Sequence, residues 1–318
     1  MNVGSLSVIM CNYNHACYIG DALQAILNQT FMPIEVIVVD DGSTDNSITV
    51  IEQFTKRSSI VRLVRNDRNR GVVFSANRAL DIASGDYMYF ASADDKVLPG
   101  LFEKSMNLLA QYLQAGLCCS DPAWFDDRTS IIRETKLHWS DKPCYFSAEA
   151  LAKVIKGGWI AGHTSIVKRA ALLEAGGLIE GVRWHCDWFA LLVIAFRYGI
   201  CYIPEPLAML RVHSNSYSAS GRKHCPSQRE VLNNLLHLLK SPAYRDVLPL
   251  FRRGRVMSHF GEEVVRVVLT NPEHWDIQSI MLIQNLVRTK ARKIFRRILT
   301  LITPSPVKRA YRRVRVKR

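Results

Sequence analysis

The sequence predicts an α/β fold in which helices cover both faces of a mostly parallel sheet, and three observations predict it. Runs such as Val36-Ile37-Val38-Val39 are apolar at every position, as strands buried on both faces are. Segments with one apolar helical face lie between such runs, so strand and helix alternate. The runs also end in turn-forming residues, Asp40-Asp41-Gly42-Ser43 above all. At 318 residues and 48% hydrophobic, the chain is long enough to bury one large α/β core with an appendage.

The elements follow in order. Leu6-Ser7-Val8-Ile9-Met10-Cys11 reads as a strand ending at Asn12-Tyr13-Asn14, and Ile19, Leu23, Ile26 and Leu27 share one face of a first helix. Val36 to Val39 is the second strand, and a helix is expected to start near Ser43-Thr44-Asp45, all good caps. Ile60 to Val64 is a third strand and Phe74 to Ala83 a third helix. The fourth strand, from Tyr87, runs into Ser92-Ala93-Asp94-Asp95, and a helix follows near Pro99. Leu117-Cys118-Cys119-Ser120 is a further strand.

In open α/β sheets, ligands bind beyond the carboxyl ends of the strands, and both aspartate pairs fall there. Adjacent acids repel unless something positive stands beside them. A divalent cation carrying a diphosphate is the simplest such partner, and hard oxygen ligands suit magnesium or manganese. Taken alone, Asp40 to Asp45 reads equally as a turn with a helix cap, whereas Asp94-Asp95 has one acid more than a cap requires. A dinucleotide-dependent oxidoreductase fits poorly. No Gly-x-Gly-x-x-Gly follows the first strand, and Asn12-Tyr13-Asn14 is too bulky for that turn.

Five ordered motifs carry a resemblance: Ser7 to Asn14, Ile26-Leu27-Asn28-Gln29-Thr30, Glu35 to Asp45, Asn69-Arg70-Gly71 with Ala76-Asn77, and Ser92 to Asp95. Together they resemble the nucleotide-binding half of family 2 glycosyltransferases. The resemblance implies a GT-A fold and inverting transfer from a nucleotide sugar. It implies residues 1–114 as the donor-binding half, 115–220 as the acceptor-binding half of the same domain, and 221–318 as a helical extension. It also implies that Cys11 to Tyr13 line the nucleotide pocket with Arg70, that Asp41 accepts from the base, that Asp94 faces the ribose and that Asp95 holds Mn2+ or Mg2+. A uracil or thymine N3–H is a donor and a carboxylate accepts only, which favours a UDP- or dTDP-sugar. One departure stands at Ser92, where many relatives carry an acid.

Further along, Trp159 to Val167 and the Gly176-Gly177 turn match the stretch that runs under the acceptor site in the family. In Arg183-Trp184-His185-Cys186-Asp187, the resemblance makes Asp187 the general base on the first turn of a helix, with Cys186 where relatives commonly have Glu. An inverting transfer needs a base on the sugar face opposite the leaving nucleotide. At an ordinary pKa of about 3.9 an Asp is ionised at neutral pH, and enclosure between Trp184 and Trp188 is expected to raise its basicity. His185 is the weaker base. Ile200 to Ser216 resembles the family's closing strand with its Arg-x-His ending, so His213 is expected at the metal or diphosphate and Arg211 beside the phosphates.

Eight cysteines show neither Cys-x-x-Cys nor zinc-like His spacing, and no signal peptide precedes the first strand, so a reduced, cytoplasmic protein is expected. The longest apolar run, Trp188 to Phe196, is far short of the roughly 20 residues of a membrane span.

The net charge of +14 is concentrated at one end: Ile277 to Arg318 holds 13 Lys or Arg and no acid, and the rest carries 29 basic against 28 acidic residues. Ile294, Phe295, Ile298, Leu301 and Ile302 oppose Arg292, Lys293, Arg296 and Arg297 on a helical wheel, as in a helix lying in a membrane interface. The expectation is a peripheral protein on the inner face of an anionic membrane, held through 288–318 and contacting no nucleic acid. The expected acceptor is a glycan or lipid-linked glycan of bacterial surface polysaccharide synthesis. Because Ser92 and Cys186 replace acids, the alternative is a catalytically weak or inactive relative that binds sugar nucleotides or membranes.

Overall fold

The computed structural model describes residues 3–212 and 224–287. The chain divides into two compact units, Met1–Val256 and Met257–Arg318.

The first unit is built on one mixed sheet. Strands β1 (Leu6–Asn12), β2 (Glu35–Asp40), β3 (Val61–Arg65) and β4 (Tyr87–Ser92) lie parallel in the order β3-β2-β1-β4. All six residues of β2 are buried, as its unbroken apolar run requires. Helices α1 (Ile19–Leu27), α2 (Ser47–Arg57), α3 (Val72–Ile82) and α4 (Leu101–Gln111) connect and cover these strands. The α1 face of Ile19, Leu23 and Ile26 shares one core with Leu6, Val8 and Met10 of β1 and Val36 and Val38 of β2.

One boundary differs from the sequence reading. Helix α2 begins at Ser47, because the caps expected near Ser43 are engaged in the preceding loop. Ser43 bonds Asp40, Asn14 Oδ1 accepts from the Thr44 amide, and Asp45 is left to accept from the Ser47 amide at 2.9 Å.

From β1 the chain moves outward to β2 and β3, then returns with β4 on the other side of β1. Strand order reverses there, and the carboxyl ends of β1 and β4 border a crevice of the kind that binds ligands. The sheet continues with β9 (Ile166–Lys168), antiparallel to both β4 and β6 (Leu117–Asp126), and then β10 (Ile200–Val212), parallel to β6. The short β5 (Lys96–Val97) and β8 (Cys144–Phe146) pair with β10, and β7 (Ile132–Glu134) with β6. The β6–β10 register shifts around Pro206, as expected where proline cannot donate to a ladder.

Helices α5 (Ala148–Val154), α6 (Arg169–Glu174) and α7 (Cys186–Tyr198) complete the fold around the second half of the sheet, followed by α8 (Cys225–Lys240) and α9 (Leu248–Arg253). Every residue from Trp188 to Phe196 is buried, so that apolar run is a core helix. Among the described residues, no helix is long and apolar enough to cross a membrane. The second unit contains α10 (Gly261–Thr270) and α11, residues 277–287. His213 and the segment 288–318 lie outside the described residues.

Candidate active site

The parallel register of β1 and β2 places Asn12 beside Asp40 at their carboxyl ends. Asp40 is 1% exposed. It accepts from the Ser43 amide at 2.9 Å, the Ser43 hydroxyl at 2.6 Å and Asn12 Nδ2 at 2.8 Å. This acid therefore builds the loop and is not available to a ligand. Asn14, in the left-handed conformation at φ 57°, extends the same network to the 43–45 loop.

Asp41 performs a second fastening. Its Oδ1 accepts from Asn66 Nδ2 at 2.6 Å and the Arg70 amide at 2.9 Å, and its Oδ2 from the Gly71 amide at 2.8 Å. A carboxylate offers about four acceptor positions, so one remains on Oδ2. The loop after β3 is thereby drawn over the end of β2. Gly42, at φ 76°, is required: a Cβ there would sit 2.6 Å from the Arg68 backbone. Arg70 is exposed and stacks its guanidinium 3.7 Å over the Phe74 ring. Tyr13 is exposed at the β1 end. Cys11 pairs in register with Ser92 of β4, and burial, followed by the charge of Asp41, pushes its thiol up to about 12. The thiol thus stays protonated and unreactive at neutral pH.

The turn after β4 carries Asp94 and Asp95. Asp95 is half-buried; burial first, and the Asp94 charge second, raise it to about 7 against the opposing bonds from the Arg211 amide and the Ser92 hydroxyl. The Arg211 amide donates to Asp95 Oδ1 at 2.9 Å and its Nε donates to the Asp94 carbonyl at 2.9 Å. The same guanidinium pairs with Asp127 and lies over the Tyr18 and Phe125 rings at 4.6 and 5.3 Å, while the Tyr18 hydroxyl donates to Asp127 at 3.1 Å. Arg211 is therefore engaged on every side.

A divalent cation fits this turn on its donor chemistry. A carboxylate raised toward neutrality by burial and a like charge is a group that a cation returns to its ionised form. Among the described residues no group of three or more His, Cys, Asp or Glu side chains forms a metal cage. Magnesium-type ions bound through one or two carboxylates together with substrate phosphates need no cage.

Asp187 occupies the first turn of α7 and its Oδ1 accepts from the Trp188 amide at 2.7 Å. The expected enclosure between Trp184 and Trp188 is not found, and Asp187 is exposed. Trp188 turns into the core against Phe251 at 6.0 Å, and Trp184 Nε1 donates to Gln228 at 2.7 Å. The carboxylate instead lies against Gly162, where any Cβ would collide with Oδ2. Behind it, burial first and the charge of Asp187 second drive the Cys186 thiol well up. The approach to α7 is tied to α3 by the bonds between Asn77 and Leu178, and the start of α3 meets β1, where the Val72 carbonyl accepts from the Cys11 thiol at 3.8 Å. His185 is buried against Gln228 and does not meet the crevice as an exposed base. Within the approach to α7, Arg183 has φ 44° and ψ −117°, strained for a residue with a side chain.

Sequence reasoning gave no individual role to several residues that shape the site, Asn77 among them although it stands in one of the five motifs. Asp127 has no motif around it, and only the strand pairing of β6 with β10 brings it to Arg211. Asn77 donates to the Leu178 carbonyl at 2.7 Å and accepts from the Leu178 amide at 3.1 Å, fixing the Gly176-Gly177 turn to α3. His163 is held neutral by burial, which lowers it to about 4, and the charged form is absent at neutral pH. The Gly162 contact had a legible trace, a glycine within an apolar segment, but its partner lies 25 residues away in sequence.

Comparison with known proteins matches this architecture. Residues 7–175 match the family described as Glycosyl transferase family 2. The putative teichuronic acid biosynthesis glycosyltransferase TuaG of Bacillus subtilis is 33% identical over 244 residues, spanning 74% of this chain and 91% of that protein. An uncharacterized glycosyltransferase of Haemophilus influenzae is 37% identical over 111 residues, covering 35% of this chain and only 44% of its relative. The chain thus spans less than half the length of that relative. Among solved structures, S. aureus TarS 1-349 in complex with UDP-GlcNAc aligns with TM-score 0.62 at 16% identity, over 89% of this chain and 81% of that one. The mannosyltransferase PcManGT from Pyrobaculum calidifontis in complex with GDP-Man and Mn2+ aligns with TM-score 0.55 at 18% identity, over 96% and 82%. At such identities the structural likeness speaks for the fold, which is GT-A. With more than half of its length matched by the family, this chain belongs to glycosyl transferase family 2.

Proposed function

We propose that the chain transfers a sugar from a nucleoside-diphosphate sugar to an acceptor hydroxyl, with inversion at the anomeric carbon. One observation carries the reading: Cys11, Asp41 and the Asp94-Asp95 turn stand at the carboxyl ends of β1, β2 and β4, where strand order reverses, and Asp187 is exposed on the first turn of α7.

The nucleotide lies along Cys11 to Tyr13. Asp41 uses its remaining acceptor position on the base N3–H, which favours UDP- or dTDP-sugars, and Arg70 closes over that end. Asp94 takes the ribose. Asp95, with His213, holds Mn2+ or Mg2+, which when bound neutralises charge on the diphosphate. Asp187 accepts the proton of the attacking hydroxyl as its oxygen bonds the anomeric carbon. The bond from that carbon to the phosphate oxygen breaks in the same displacement, and the nucleoside diphosphate leaves. The likeness to TuaG, a teichuronic acid biosynthesis glycosyltransferase by name, supports a glycan or lipid-linked acceptor in bacterial surface polysaccharide synthesis. The basic segment 288–318 keeps the enzyme at the anionic inner face of a membrane.

Ser92 and the buried Cys186, both in place of acids, favour a second reading: a relative that binds sugar nucleotides and transfers poorly. A thermal-shift screen of nucleotide sugars with manganese tests the first step, since a ligand at about 100 times its Kd adds about 2.7 kcal/mol. Transfer that depends on Asp187 and gives an inverted anomer by NMR supports the enzyme; binding without turnover supports the second reading.

A further inference from the structure

The described part of helix α11, residues 277–287, contains no charged side chain. Its buried side is Ser279, Leu282 and Ile283. The opposite side carries Ile277, Ile280 and Val287, spaced i, i+3 and i+10, and exposed by 68, 53 and 45%. Trp275, 65% exposed, stands immediately before the helix, and its Nε1 donates to the Leu269 carbonyl at 3.3 Å, which sets the ring beside another exposed apolar residue, Leu269 at 64%. Asp276 fixes the arrangement as a cap, accepting from the Ser279 amide and hydroxyl, each at 2.9 Å. The other exposed large apolar residues of the described chain are spread over positions 13 to 212, whereas these five fall within 269–287. Scattered apolar exposure is ordinary; a concentrated face on an uncharged helix is a docking surface.

The chain that follows supplies the identity of the partner. Between 288 and 318 there are 13 Lys or Arg and no acid, so the apolar face is joined directly to a strongly cationic segment. A partner that is apolar beneath and anionic at its surface satisfies both. We propose that Leu269, Trp275, Ile277, Ile280 and Val287 insert into the interfacial layer of an anionic bilayer, with the basic segment on its headgroups. Tryptophan favours that layer because its ring is apolar and its N–H remains polar. The proposal deepens the membrane reading of 288–318 and adds a hydrophobic insertion that charge alone would not give.

The test uses the full chain and vesicles of phosphatidylglycerol and phosphatidylcholine in equal parts, at low and high salt. Salt screens the basic segment and leaves apolar insertion in place. Trp275→Ser/Ile277→Ser/Ile280→Ser should lose tenfold or more of the vesicle binding that survives high salt, while low-salt binding falls less. Tryptophan emission should shift to the blue on adding vesicles in the wild type and shift less in Trp275→Phe, which preserves the fold. Removal of 288–318 should abolish low-salt attraction; if it does not, the basic-segment reading fails while loss in the triple variant still upholds the face. Salt-resistant binding equal in triple variant and wild type overturns the proposal. So does a wild-type dimer that the triple variant converts to monomer with vesicle binding unchanged, because the face would then join two copies of the chain.

Discussion

The two ends of the crevice are built on opposite plans. At the end proposed for the nucleotide, Asp40 and Asp41 are buried, each accepts three hydrogen bonds, and positive φ falls on Asn14, Gly42 and Gly71, residues that tolerate it. At the end proposed for the base, Asp187 is exposed on a helix turn, and the positive φ falls on Arg183, which does not tolerate it. The difference teaches where rigidity is required. Under the proposed assignment, fixed acceptors and a closed loop hold the nucleotide, whereas the base must reach an acceptor that enters from solvent. The following changes strain the comparison, beginning with the largest effect.

Asp187→Asn keeps the size and helix position of the side chain and removes its proton acceptor. Transfer should fall by about 10²- to 10⁴-fold while donor affinity stays near wild type, the split expected of a positioned base. Single-turnover rates with titrated donor measure both. Wild-type transfer by the variant would remove Asp187 from the chemistry.

Asp41→Ala should act at the other end and through the fold. It leaves Asn66 Nδ2 and the Arg70 and Gly71 amides without their acceptor, and unsatisfied buried donors cost about 1–3 kcal/mol each before relaxation or water entry. We expect a loss of about 3 kcal/mol in stability by urea unfolding, and weaker binding of free nucleoside diphosphate without metal. A fully stable variant with reduced nucleotide affinity would mean that Asp41 serves the base alone and the loop is held otherwise.

How far these ends were legible follows from the range of their contacts. The doubly wound order, the strand ends and the aspartate pairs are local patterns; β1, β2 and β4 appear where period and turn residues put them, and α7 starts where the family resemblance put it. The division of labour within the pair was not legible. Nothing in Asp40-Asp41 tells that one carboxylate turns to Ser43 and the other to the 66–71 loop, since successive side chains at a strand end point to opposite faces. The position of α2 was misread because Ser43 and Thr44 have the chemistry of caps and are taken by longer-range partners. The exposure of Asp187 was misread for the same reason: Trp188 has more apolar area to bury in the core, against Phe251, than beside a carboxylate.

Proton competition at Asp95 is a smaller and more graded test. Burial and Asp94 raise this group to about 7, and a cation binds the ionised form, so metal-stimulated donor binding should be intact above pH 7 and fall about tenfold per pH unit below it. The raised value also means that ionising Asp95 without a cation disfavours the fold, so stability without metal should decline as pH rises from about 4 to about 7 and level off above. Asp95→Ala should remove both dependences and the metal stimulation. If metal stimulation is unchanged between pH 5.5 and 8, a range of about 2.5 units that spans the raised value, Asp95 is not the metal ligand.

The smallest effect expected is at Arg183, and it sharpens the contrast most directly. Its φ 44° and ψ −117° belong to the conformations that glycine adopts freely, and holding a side chain there costs on the order of 1–3 kcal/mol. Arg183→Gly removes that strain, adds roughly 0.5–1 kcal/mol of backbone entropy to the unfolded chain, and gives up the Arg183–Glu230 pair. That pair is well exposed on both sides and contributes little. The net expectation is a gain of about 1 kcal/mol, seen as a rise of roughly 2–4 °C in Tm. Arg183→Ala loses the same ion pair and retains Cβ, so it should gain nothing. If glycine is no better than alanine, the backbone before α7 is relaxed and the base end is as settled as the nucleotide end. If glycine stabilises while transfer slows, the strained turn is what aims Asp187 at the acceptor.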